Sequence, residues 1–396
     1  MSRKQLGSLA VLNAGAYLIG NSILPLLPLY LGELGAQVAD SGLYLSLIFA
    51  ALMAGSLIGG WLSNRTNQRK AMLLVSAIVS MAALLLLTQF TSLTALLLLA
   101  MVIWFVGGLT TASVNILAGL HAPAGQRGRV FGAIGVTVGL SQFAGGLIAG
   151  PVVSRWGFQG LFLLLAMMQV APILAALFVD DRIQAPRPIP STTGRRSTSE
   201  GYWLLLAAAF LVYIVNFTVV LGRPLAMQAA GLDAGAISST VAIAGLVALP
   251  LPFVMGWLSD RIGRKSLLAL AWALFASGLF LLAFANTLAL FWLSAALMSA
   301  MTSTLSLSSA LVADLVRRSY LSTGLSRLSA TPWLGAIVGS SVAGVVIAAF
   351  GLRATFLVAA VLPIVSALMA LMLHQPQVGS LDTLEISGAK ASEGTA

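Results

Sequence analysis

The sequence predicts an all-α membrane protein of twelve transmembrane helices in two related halves of six. Three observations predict it. Apolar runs of about 20 residues, enough to cross a hydrocarbon core of roughly 30 Å, recur between short polar breaks. Basic residues fill alternate breaks, and the second half repeats the first. Of the 396 residues, 59% are hydrophobic and only 8% charged, with a mean hydropathy of +0.99. A water-soluble surface takes roughly 25% charged residues, so none can be built here.

The first run, Ser8 to Leu31, follows Arg3 and Lys4 as a signal peptide would. It exceeds the roughly 7 to 15 residues of a signal h-region and reads as a retained helix. Ser41–Leu62, Ala71–Thr88, Thr94–Leu120, Val130–Ser154 and Gln159–Val179 complete the N-terminal half, residues 1–179. Residues 180–201 carry Pro186, Pro188, Pro190, four arginines and a Ser/Thr run, the composition of a linker. The C-terminal half, residues 202–373, holds Tyr202–Ala226, Ile237–Leu258, Ser266–Ala285, Leu288–Ala313, Ser322–Ala349 and Ala354–Leu373. Residues 374–396 are polar, without apolar periodicity, and are expected to be a disordered cytoplasmic tail.

Twelve passes impose an alternating topology, and Lys and Arg favour the cytoplasmic loops. Of the 21 basic residues, only Arg155, Arg223 and Arg353 fall outside. Both termini are therefore expected in the cytoplasm, with the protein in the cell's inner membrane. The net charge of +10 then belongs to headgroup-facing loops, which excludes nucleic acid as a partner. With no cysteine, disulfides, thiol catalysis and thiolate metal sites are excluded. No GxxxxGK[ST], HExxH or membrane-buried acid pair is present, so no enzyme, metal or cofactor is expected.

A shift of 196 residues aligns Tyr17, Pro28 and Gly35 with Tyr213, Pro224 and Gly231, and Gly60-Trp61-Leu62-Ser63 with Gly256-Trp257-Leu258-Ser259. A shift of 194 aligns Gly145, Gly150, Gly157 and Phe162 with Gly339, Gly344, Gly351 and Phe356. Parallel six-helix repeats are a transporter architecture.

Gly256-Trp-Leu-Ser-Asp260-Arg261-Ile-Gly263-Arg264-Lys265 follows the pattern G-x-L-x-D-R-x-G-R-K, and a looser copy runs from Gly60 through Asn64, Arg65 and Arg69 to Lys70. On these residues the chain resembles the major facilitator superfamily, in particular its twelve-helix bacterial efflux members, over about Ser8 to Leu373. The resemblance implies that both copies act as a conformational latch. Physically, the acid can cap the next turn and pair with cations, while the basic residues meet phospholipid headgroups. Asp260 is expected ionised and bonded to the start of helix nine or to Arg127 or Arg129. Asn64 can cap a helix but cannot form an ion pair. Gly139, Gly145 and Gly150 on helix five, with Gly335, Gly339 and Gly344 on helix eleven, give smooth faces for close packing.

Polar groups at mid-membrane depth need a cavity or a partner. Tyr17, Asn21, Gln142, Tyr213 and Asn216 lie near the midplane, Asn115 in the cytoplasmic half of helix four, and Thr302, Ser303 and Thr304 in helix ten. The resemblance implies that helices one, four, seven and ten line a central cavity. Arg223 either snorkels to outer headgroups or binds an anionic substrate group. All eleven acids lie in loops, at helix ends or in the tail. The expected function is alternating-access export of amphipathic small molecules by a monomer, with protons as a candidate coupling ion but only weak dependence on a proton gradient. A facilitator, or a lipid- or sugar-handling carrier of the same superfamily without proton coupling, is the alternative.

Overall fold

The computed structural model describes residues 1–122, 127–181, 200–316 and 321–373; at Asn64, Arg127, Gly128, Pro252, Phe253, Gly256, Asp260, Leu321 and Ser322 it describes only the backbone. The helices are α1 (Arg3–Ile23), α2 (Leu27–Glu33), α3 (Val38–Thr66), α4 (Arg69–Leu87), α5 (Leu93–His121), α6 (Arg127–Met168), α7 (Val170–Leu177), α8 (Glu200–Ala229), α9 (Ala234–Ala248), α10 (Leu251–Ile262), α11 (Arg264–Phe284), α12 (Leu288–Met298), α13 (Thr304–Leu315) and α14 (Leu321–Leu371). A short 3-10 stretch, Ser299–Ser303, joins α12 to α13.

Among the described residues, nine helical stretches are long and apolar enough to cross a membrane. Two of them hold two passes each, because α6 breaks at Gly157 (φ 67°) and α14 at Gly351 (φ 77°). The contacts prove the reversal. Before Gly157 the chain climbs beside α1, with Asn13 on Thr137, Ser141 on Ala14 and Gly145 against Ser22. After it the chain descends, with Phe158 on Tyr30, Pro172 on Gly15 and Asp180 on Gln5. The C-half repeats this, since Gly335 and Ile347 meet Tyr213 and Gly222 on the way up, and Phe356 and Ser366 meet Gly222 and Ala208 on the way down. Left-handed φ favours glycine, so one residue makes each hairpin. With α9 and α10 sharing one pass, the protein makes twelve.

Several apolar runs are not single helices. The first breaks after Ile23 because Pro25 lacks an amide N–H for the ladder. The run Ile237–Leu258 breaks at Pro250, between α9 and α10. The run Gln159–Val179 breaks at Gln169, and Leu288–Ala313 tightens into the 3-10 stretch. Of the expected linker, Asp180, Asp181, Glu200 and Gly201 are described; the rest of it, and the tail from 374, lie outside the described residues.

The repeat extends to the helix ends. Gly35 (φ 85°) and Gly231 (φ 76°) close equivalent helices, and Gln37 and Asp233 cap the next ones. The halves meet mainly through α3 with α14, α6 with α9, and α2 with α8. Gly42 lies against Ser340 and Gly344 of α14, and Ser46 Oγ donates to the Ile337 carbonyl at 2.9 Å. Gly146 and Gly150 of α6 lie against Ala242 and Ser238 of α9, and the Gly150 N–H donates to Ser238 Oγ at 3.1 Å. The shifts of 196 and 194 carry Gly42 to Ser238 and Gly150 to Gly344. The two seams are therefore one contact used twice, toward the end of the bundle opposite the basic loops.

Candidate functional site

Between the halves lies a cavity of about 310 Å³. Tyr17 and Asn21 reach it from α1, and Tyr213, Asn216 and Phe217 from α8. Positions 213, 216 and 217 fall on one helical face, and their counterpart, α1, turns Tyr17 to the same space. Trp104, Thr110 and Thr111 enter from α5, and Trp333 from α14. None of the lining residues carries a charge. The hydroxyls of Thr110 and Thr111 donate to their own helix, at Val106 and Gly108. Their oxygens remain acceptors toward the cavity. Asn21 keeps a buried amide nitrogen without a partner.

The other expected residues are placed elsewhere. Gln142 does not line the cavity: it sits beside the α9 seam, its carbonyl carbon 2.9 Å from where a Cβ on Gly245 would stand. The glycines that let α6 approach α9 turn Gln142 with them. Asn115 does not line the cavity; it is exposed and lies one turn beyond Thr111 on the same stripe of α5, toward the basic end. Arg223 is half-buried two turns beyond Asn216, outside the cavity, and makes no hydrogen bond or ion pair with the described residues. Of the α12–α13 pass, Thr304 accepts from the Trp272 indole at 3.1 Å, and Thr302 donates to the Ser299 carbonyl. Neither residue lines the cavity.

Most cavity residues were absent from the expected set, among them the polar Ser76 and Ser80 of α4, Thr110 and Thr111 of α5 and Gln169 at the start of α7, and the aromatic Phe49, Trp104, Phe217 and Trp333. A short hydroxyl inside an apolar run carries no sequence signal of its own, because it satisfies itself on the helix as readily as on a ligand.

At the basic end, the expectation that all motif cations meet headgroups is corrected. Arg69 is 0% exposed. Its guanidinium donates to Ser63 Oγ at 2.7 Å and to Asn67 Oδ1 at 2.9 Å. Asp181 accepts from the Lys70 N–H at 3.1 Å and lies near enough to attract the Arg69 charge. An acid from the end of the sixth pass thus stands where Asn64 offers none. In the other copy Arg264 pairs with Asp314 at 2.8 Å and donates to the Ala310 carbonyl, while Lys265 reaches the Leu373 carbonyl at 3.4 Å. Gly263 (φ 86°) and Asn67 (φ 54°) turn the chain at equivalent points, and Gly60 has open space around it. Arg65 and Arg261 stay outside, over the exposed rings of Trp61 and Trp257 at 5.3 and 3.9 Å. The expected contacts of Asp260, and the roles of Asn64 and Gly256, lie outside the described side chains.

A family model described as Major Facilitator Superfamily matches residues 9–249 and, in a second overlapping match, 205–391. Among solved structures, a bacterial homolog of the human lysosomal transporter Spinster, in an inward-facing and unoccupied conformation, is similar with a TM-score of 0.74 at 14% identity, over 93% of this chain and 97% of that one. The nucleoside transporter NupG is similar at 0.73 and 15%, over 93% and 99%. The human organic anion transporter MFSD10 is similar at 0.67 and 16%, again over 93% and 99%. A search of curated proteins gives no match. At these identities the structural likeness shows the fold.

Proposed function

The chain belongs to the major facilitator superfamily, a multi-pass membrane transporter and not an enzyme, and from that premise we propose that it exports uncharged, ring-bearing amphipathic molecules by alternating access. The observation that carries this reading is the cavity between the halves, walled by six aromatic rings and uncharged polar groups. An ion held there would lose its hydration with no opposite charge to replace it. Aromatic walls and a few hydroxyl or amide groups suit a weakly polar ring system.

In this reading the basic end faces the cytoplasm of an inner-membrane monomer. The glycine seams then seal the outer side, and the cavity opens inward, toward Asn115. The contacts of Arg69 and Arg264 act as the latch, holding their loops while the halves rock. Because no acid, histidine, lysine or arginine lines the cavity, rocking in this reading needs no proton bound there, and an uncoupled facilitator is the second reading. Uptake and efflux by purified protein in liposomes, over a panel of neutral, cationic and anionic aromatic compounds with and without a pH gradient, tests it. Saturable movement of the neutral members is expected; movement of the anions alone refutes the reading.

A further inference from the structure

The two halves repeat in sequence, yet their third helices carry different side chains inward. A shift of 195 sets α4 on α11, taking Arg69-Lys70 to Arg264-Lys265. Burial repeats in that register: Leu73, Leu84 and Leu87 are buried like Leu268, Leu279 and Leu282, while Val75 and Leu85 are exposed like Leu270 and Phe280. The same register takes Ser76, Ala77 and Ser80, which line the cavity, to Ala271, Trp272 and Phe275.

Trp272 and Phe275 are both 0% exposed. The indole of Trp272 is also tied to Thr304, so its ring is fixed by a bond as well as by packing. Ser366, which a shift of 194 places on Pro172, is 0% exposed, donates to the Ala208 carbonyl at 3.0 Å and ties α14 to α8. The space that the N-half keeps open beside α4 is filled with side chains in the C-half. On α4 the opening is made by three of the smallest side chains available. The hydroxyls of Ser76 and Ser80 make no hydrogen bond to the described residues.

We propose that Ser76, Ala77 and Ser80 form the specificity pocket, so that the N-half alone reads the substrate while the C-half supplies a closing wall through Tyr213, Asn216 and Phe217. The pocket takes the ring system of an uncharged aromatic amphipath bearing a hydrogen-bonding group for the two serines. This rests on the transport reading above. It makes the machine functionally one-sided despite its repeat.

The test copies the C-half into the N-half. Binding of tritiated phenylnaphthylamine, a neutral aromatic amine, and of its anionic relative anilinonaphthalenesulfonate is measured on immobilised wild-type protein, Ala77→Trp and Ser80→Phe. Thermal unfolding of each in detergent reports folding, and two variants guard against one that does not fold. Wild type is expected to prefer the neutral probe by about tenfold or more, and each variant to lose about tenfold or more of that binding, as pocket-filling changes do. Unchanged binding by folded variants overturns the proposal, as does equal affinity for the sulfonate or no binding of either probe by wild type. Binding as expected without movement across a liposome membrane defeats the export reading but supports the pocket.

Discussion

Replacing Gly42 with alanine should push the protein out of the state described here. A Cβ at Gly42 would stand 2.5 Å from the Ser340 carbonyl oxygen, 2.7 Å from Gly344 Cα and 2.8 Å from Gly344 N. Ordinary contact begins near 3.4 Å, so α3 and α14 must separate by about 1 Å, against backbone that cannot rotate away. Overpacking of this kind costs roughly 1 to 3 kcal/mol. The cost falls on the far-end-closed state alone, since the seam comes apart when that end opens, so the equilibrium shifts about 5- to 150-fold toward the open state. The chain has no cysteine, so Gln89→Cys and Ala230→Cys, both exposed at the far end, one in each half, can carry spin labels without background. Distance measurements should show a longer population growing in Gly42→Ala. They should not in Gly7→Ala, where an added Cβ meets nothing within 4 Å. An unchanged distribution in Gly42→Ala would show that the seam does not set the conformation.

Asp181→Asn should lower thermal stability more than Asp314→Asn. The first takes the negative charge from near Arg69, which has no exposed surface, and weakens the bond from the Lys70 N–H, a loss of about 1 to 3 kcal/mol, whereas the Arg264–Asp314 pair is 36% and 27% exposed and is worth about 1 kcal/mol or less. Equal losses in parallel melts would refute this ordering. Gly351→Ala should cost about 1 to 2 kcal/mol, because φ of 77° is strained for any side chain, with the unfolding midpoint as readout. Finally, an imposed pH gradient should change the transport rate little, and Glu33→Gln and Asp40→Asn should leave that response as it is. Strong accumulation driven by the gradient and abolished by either variant would mean that these helix-end acids carry the coupling proton.

What the sequence disclosed and what it hid divide along the range of the interactions. The twelve passes were legible because each is a local apolar run set by one length scale, the bilayer. The hairpins at Gly157 and Gly351 were legible only as a repeat: the register marked both glycines before anything showed that they reverse the chain. Tyr17, Asn21, Tyr213 and Asn216 were found because a polar group at mid-depth is costly wherever it occurs. Gln142 carried the same signal and misled, since its orientation depends on which face of α6 the glycines give to α9. Arg69 misled for a related reason. A basic residue after an apolar run reads as a headgroup anchor, whereas here the end of α3, through Ser63 and Asn67, holds the guanidinium inward, with Asp181 brought to Lys70 beside it.

The repeat itself concealed the sharpest asymmetry. Tyr17 with Tyr213 and Pro28 with Pro224 present the halves as equals, and the conspicuous identities are those that keep helices in register. The difference lies at Ala77 and Trp272, where both residues are apolar and both belong in a membrane span. Hydropathy cannot separate them; volume does, and volume matters only when α5 and α7 are known to border α4 at the cavity. A carrier whose halves rock about one axis needs close approach at both seams, and Gly42, Ser238, Gly150 and Gly344 are small on both sides. No such constraint holds the interior of each half. One half is free to keep its hollow while the other fills with Trp272 and Phe275, and a filled half is the stiffer wall against which a substrate in the open half can be enclosed.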